Sequence, residues 1–184
     1  MSFDLVFQST LALEGGFVDD PNDSGGATIY GITERVARAH GYVGPMSMLP
    51  IETAKEIAKS QYWDVLRLDE VAEVSSGVAH ELFDTGYNMG TGRAAQFFQR
   101  CLASLNRGGR DYADVTVDGA VGPMTIAAFR AYYKVRKDQG LEILLLALNC
   151  LQGAFYIELA ERREKDEAFL YGWLKNRVSL QRGE

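Results

Sequence analysis

The strongest constraint on the fold lies in the first thirty residues of this 184-residue chain. Phe3, Leu5, Val6, Phe7, Leu11 and Leu13 recur at the spacing of an amphipathic helix rather than in strict alternation. Gly15 and Gly16, directly after Glu14, stop that helix at its C-terminus. Asp19, Asp20, Pro21, Asn22, Asp23, Gly25 and Gly26 come next, and these residue types favour turns. On either side of them, Gly16-Phe17-Val18 and residues 27–33 (Ala27-Thr28-Ile29-Tyr30-Gly31-Ile32-Thr33) carry the β-branched and aromatic residues of a small hairpin. The pattern is a helix that ends on a carboxylate and passes at once into a glycine-rich hairpin.

That placement gives Glu14 a chemical reading. Apolar neighbours and the negative end of the helix dipole both disfavour its charged form, so its pKa is expected above the ordinary carboxylate range, toward the poise a general acid needs. A glutamate at a helix end is more often a solvated residue, so Glu14 draws its significance from the hairpin beside it. The hairpin can fold Asp23 and Thr28 back over Glu14. Glycoside hydrolysis needs an acid for the leaving oxygen and a second group that stabilises the transition state or activates water.

The motifs here resemble those of glycoside hydrolase family 108. The match is carried by Glu14-Gly15-Gly16-Phe17, by residues 20–28 (Asp20-Pro21-Asn22-Asp23-Ser24-Gly25-Gly26-Ala27-Thr28) and by Tyr30-Gly31-Ile32-Thr33. Members of that family are lysozyme-like N-acetylmuramidases of phages and of bacterial lysis or secretion loci, in which the motif glutamate is the proposed acid. Phe17 stands where the family often has Tyr, keeping the ring and losing the hydroxyl. The intervals from Glu14 to Asp23 and from Asp23 to Thr28 also resemble the Glu, Asp and Thr set of phage-type lysozymes, the second interval being one residue shorter. The resemblance implies that Glu14 protonates the glycosidic oxygen, that Asp23 positions or activates water, and that Thr28 orients it. Asp19 and Asp20 are rival second carboxylates, with turn capping as their other reading. Asp20, Tyr30, Tyr87 and Asn88 are the residues it implies for substrate binding.

Later blocks extend the resemblance. Residues 51–64 and 82–90 resemble further parts of the same family, whereas residues 117–129 and 169–178 resemble the peptidoglycan-binding region that usually follows it. Tyr62 and Trp63 can stack on a pyranose, although such a pair at a helix end is more often core. Asn88 can offer its amide to an N-acetyl group, or it can simply cap a helix before Gly90. Asp118-Gly119 and Gly122-Pro123 read as a tight turn into a helix that starts near Pro123. Helical patterns cover Ser75 to Gly86, Ala94 to Leu105, Met124 to Tyr133 and Leu141 to Glu164. The expected fold is therefore mostly α (α+β): a lysozyme-like helical fold with a small β-hairpin next to the catalytic helix. Residues 1–93 are expected to form the catalytic region and 94–184 a helical peptidoglycan-binding region packed against it, with only a turn between them.

Composition narrows the partners. Residues 1–94 carry 6 Lys and Arg against 14 Asp and Glu, whereas residues 95–184 carry 13 against 11. An acidic first half argues against a nucleic-acid substrate and suits neutral sugar hydroxyls and amides. Cys101 and Cys150 have no metal-type spacing and read as buried free thiols, and His40 and His80 are isolated, so neither a metal nor a cofactor is expected. The most apolar run, Leu141 to Leu151, is short of a bilayer span and reads as a buried helix without membrane insertion. Asp4 stands where a signal peptide would be basic. Synthesis in the cytoplasm, release or export through a holin or a secretion system, action on the cell wall, and a monomeric state are the corresponding expectations.

The resemblance thus implies a muramidase acting on peptidoglycan glycan strands. Two alternatives belong to other classes. A lytic transglycosylase also uses one glutamate but needs no water-activating partner, and a non-enzymatic peptidoglycan-binding or secretion-activating protein would not need Glu14, Asp23 and Thr28 together.

Overall fold

A computed structural model describes residues 3–13, 16–19 and 26–178. The fold is mostly helical with one small two-stranded antiparallel sheet. Helix α1 (Phe3–Leu13) is followed by strands β1 (Thr28–Ile29) and β2 (Ile32–Thr33) and the short helix α2 (Glu34–Ala39). Helix α3 (Ile51–Ala58) runs into a π-helical turn at Lys59–Trp63, and α4 (Leu68–Ala72) leads to α5 (Ser76–Met89). The remaining helices are α6 (Thr91–Leu105), α7 (Pro123–Arg162) and α8 (Glu167–Arg177).

The hairpin is tighter than the sequence suggests. Ile29 pairs with Ile32 and Thr28 with Thr33, so the chain reverses at Tyr30-Gly31, where both residues have positive φ (56° and 76°). That combination is the two-residue turn whose twist matches a hairpin. Residues 16–18 join it through one bridge, in which Val18 and Thr28 exchange backbone hydrogen bonds of 2.8 and 2.7 Å. Thr33 then ends the sheet and caps α2, its hydroxyl accepting from the Val36 amide at 3.4 Å.

Helix boundaries follow local chemistry. Ser75 caps α5 by accepting from the Val78 amide, Gly90 (φ 87°) separates α5 from α6, and Pro123 opens α7 at a position where no amide proton is needed. The two helical stretches read around 124–133 and 141–164 are arms of α7, interrupted at Lys137 (φ 55°, ψ −151°). The kink is held by Tyr132, whose hydroxyl donates to the Gly140 carbonyl at 2.7 Å inside the core. At Gly140 an added Cβ would lie 2.3 Å from the Arg136 Cβ, so only glycine fits.

One hydrophobic cluster draws on both halves of the chain, from Phe3, Val6 and Phe7 through Trp63, Phe83 and Phe98 to Phe129, Tyr132 and Leu148. Phe3 meets Trp63 and Phe83 with ring centroids 5.3 and 5.9 Å apart, and Phe98 meets Phe129 at 5.2 Å. Each such ring contributes roughly 1.5 to 3 kcal/mol by leaving water. Trp63 is a core residue, 1% exposed, with its indole N–H donating to Asp69, so it offers no face to a sugar. Cys101 is buried and burial pushes its thiol up to about 12, but Cys150, expected to be buried as well, is exposed.

Helix α7 is also longer than the apolar run read from the sequence. By length and composition it could cross a membrane, and 39% of its most apolar window is buried within the protein. Leu144, Leu148, Gln152 and Tyr156 face inward, whereas Ile143, Leu146 and Ile157 are exposed.

Candidate active site

The hairpin is fixed to the central helix α5 at Tyr87. Tyr87 donates its hydroxyl to the Tyr30 carbonyl at 2.6 Å, across 57 residues of chain. Gly31 lies against the same ring, because an added Cβ would come within 2.4 Å of Tyr87 Cε1. Tyr87 is itself held by ring contacts to Tyr62 (4.8 Å) and Phe83 (5.3 Å) and is only 8% exposed. Among the residues implied for substrate binding, Tyr30 and Tyr87 are therefore brought together. What Tyr30 gives at that junction is its backbone carbonyl.

Thr28 is half-buried at the outer end of β1, where its hydroxyl donates weakly to the Gly26 carbonyl at 3.4 Å. It pairs on one side with Val18 and on the other with Thr33. Glu14, Asp20 and Asp23 lie outside the described residues. Asp19 is described and exposed. Among the described residues no three His, Cys, Asp or Glu side chains gather as a metal site.

Asn88 is exposed at the C-terminal end of α5, one residue beyond Tyr87. Its amide nitrogen donates to the Asp84 carbonyl (2.8 Å) and to Asp84 Oδ1 (3.3 Å). Asp84 is the centre of a polar network that the sequence alone did not reveal. Arg177 of α8 donates to the same Oδ1 at 2.8 Å, and the Gln152 amide of α7 donates to Oδ2 and to the Thr85 hydroxyl, both at 3.2 Å. The Asp84 and Arg177 side chains are 12% and 10% exposed, so this pair is largely shielded from water. One turn earlier, Glu81 accepts from the Thr85 hydroxyl at 3.4 Å. Burial, helped by the neighbouring Asp84 charge, pushes its carboxyl up to about 7, against the pull of hydrogen bonds from Asn149 and Thr85. The available signal was a carboxylate at 84 directly after Leu82 and Phe83, four residues before an asparagine.

The second half has its own polar clasp. Gln99 of α6 donates to Asp118 Oδ1 (2.7 Å) and to the Ala120 carbonyl (2.9 Å), and accepts from the Gly119 amide (2.9 Å). The Gln99 hydrogen bond, reinforced by the Ala120 amide, holds the Asp118 carboxyl below its ordinary range. The turn before Pro123 is thus anchored to α6.

A helical body carries a pinned hairpin on its central helix and is joined through a shielded ion pair to a second helical layer. Residues 7–90 match the family model described as glycosyl hydrolase 108, and residues 93–178 match the predicted peptidoglycan domain. The solved structure of Brucella abortus SagA is similar at 26% identity, over 96% of this chain and 88% of that one, with a TM-score of 0.71. No curated protein matches the chain. The first half of the chain is thus similar to glycosyl hydrolase 108 proteins, and the second half to the predicted peptidoglycan domain.

Proposed function

We propose that this protein is an N-acetylmuramidase that hydrolyses the β-1,4 bond between N-acetylmuramic acid and N-acetylglucosamine, with Glu14 as general acid. The observation that carries the reading is the Tyr87 to Tyr30 hydrogen bond. It fixes the hairpin that comes after the Glu-Gly-Gly motif to the central helix, within the glycosyl hydrolase 108 match. A transition state with developing positive charge needs groups held in place before the substrate arrives. In this reading Glu14 gives its proton to the leaving oxygen, Asp23 positions or activates water, and Thr28 orients that water. Asp20 and Tyr30 border the sugar. Asn88, with its amide nitrogen engaged by Asp84, presents its oxygen to an acetamido N–H. Tyr87 acts through the hairpin it holds.

The test is turbidity clearing of purified, outer-membrane-stripped sacculi by wild type and Glu14→Gln, with mass spectrometry of the released fragments. Reducing muropeptides from wild type, and a loss of about 10²- to 10⁴-fold in Glu14→Gln, are expected. Products with 1,6-anhydro ends would assign the protein to the lytic transglycosylases instead. Binding without release of fragments would leave a wall-binding protein.

A further inference from the structure

Helix α8 buries none of its residues completely, yet it is firmly tethered. Arg177 pairs with Asp84, Trp173 stacks on Tyr156 with centroids 5.1 Å apart, and Val178 lies against Gly153, where an added Cβ would meet it at 3.3 Å. An adjoining face of the helix, which shares Trp173 and Arg177 with the tether, is shaped. Phe169 and Trp173, one turn apart, hold their rings near-parallel (interplanar 23°, centroids 6.0 Å), and Phe169 is 57% exposed. Gly172 lies between them with open space where a side chain would stand. The result is an open cavity of about 290 Å³ lined by Ala168, Phe169, Gly172, Trp173, Asn176 and Arg177.

We propose that this trough is a second sugar-binding subsite, which takes an N-acetylated aminosugar unit of the glycan strand at a distance from the bond being cleaved. A pyranose presents a flat apolar CH face, and two near-parallel rings beside a gap fit it as aromatic faces fit any flat apolar partner. Asn176, exposed at the rim, supplies the amide that pairs with an acetamido group. Two observations name the glycan as occupant. The trough falls within the predicted peptidoglycan domain match, which runs to residue 178. It also adjoins the candidate active site, because Arg177 of its lining and Asn88 of α5 donate to the same Asp84 oxygen. The inference rests on the muramidase reading for the identity of the strand.

Binding is measured by co-sedimentation with purified sacculi in the full-length Glu14→Gln background, so that the strand is not consumed. Phe169→Ala and Asn176→Ala are each expected to weaken binding by roughly five- to tenfold, the scale of one aromatic contact or one hydrogen bond. Tyr171→Ala, on the far side of the same helix and 78% exposed, is expected to bind like its parent. Unchanged binding in both trough variants would overturn the subsite, as would an equal loss in Tyr171→Ala. Dimerisation in solution that Phe169→Ala abolishes, with binding to sacculi intact, would assign the face to a second copy and overturn it too. If wild type releases reducing muropeptides while the trough variants bind normally, the subsite fails and the muramidase reading stands. The converse result, weakened binding without any release by wild type, fails the enzyme and keeps the site.

Discussion

Replacing Glu81 by glutamine should stabilise this protein at alkaline pH and leave it unchanged in mild acid. In the folded state burial keeps the Glu81 proton on up to about pH 7, whereas its ordinary value is 4.5. Between those values folding takes up a proton, so the stability Glu81 contributes falls as pH rises. A displacement of that size is worth about 3 kcal/mol, all of it lost above pH 7 and none below pH 4.5. Glutamine mimics the protonated acid. It keeps an acceptor for the Thr85 hydroxyl and carries no charge beside Asp84. Glu81→Gln should therefore exceed wild type by about 2 to 3 kcal/mol at pH 8, roughly 5 to 10 °C in melting temperature for a chain of this length. At pH 4.5 the two should coincide. Urea unfolding followed by circular dichroism at pH 4.5, 6, 7 and 8 reads both the difference and its slope. Parallel pH profiles for the two proteins would refute this reasoning, because they would mean that Glu81 ionises equally easily folded and unfolded.

Three further substitutions probe the joints. Tyr87→Phe removes only the hydroxyl that holds Tyr30; it should cost about 1 kcal/mol in chemical unfolding yet lower the clearing rate of sacculi by more than that loss explains, and a normal rate would detach the hairpin from catalysis. Gly31→Ala combines a positive φ of 76° with a Cβ 2.4 Å from the Tyr87 ring, so a fall in stability of about 2 kcal/mol or more is expected, and a wild-type melting curve would contradict the turn geometry. Arg177→Met leaves the Asp84 carboxylate buried without its cation and should cost about 3 kcal/mol, much of it recovered in the double variant with Asp84→Asn; additive losses would show that the two side chains do not act as a pair.

Much of the helical fold was legible because it depends on local pattern. The cap at Ser75, the stop at Gly90 and the start at Pro123 are written in residue types with direct backbone consequences. The hairpin was half-legible. Its residues were recognised, but the expected partner segment, 16–18, contributes one bridge, while the regular pairing closes over Tyr30-Gly31. A tyrosine with positive φ is not a local preference; here its carbonyl is held by Tyr87. The break between residues 133 and 141 was legible, but its place at Lys137 was not, since a lysine carries no turn propensity and the kink is held by Tyr132 and Gly140. The candidate residues Glu14, Asp20 and Asp23 are read from the motif alone, whereas the Asp84 network shows itself only in three dimensions, its partners lying 68 and 93 residues away.

Helix α5 explains why these two kinds of information meet in one protein. A helix buried on most of its circumference must satisfy several neighbours at once. Phe83 and Tyr87 look toward α1 and the hairpin, Asp84 and Thr85 toward α7 and α8, and Gly86 toward Leu66 and Ala94. The two family matches abut at the end of this helix, at residues 90 and 93, but its side chains serve both. An apolar residue at 84 would pack against α7 more cheaply than an ion pair. What the carboxylate adds is direction: the oxygen that receives Arg177 also receives the Asn88 amide, so the position of α8 and the orientation of a candidate sugar-binding side chain are set by one atom.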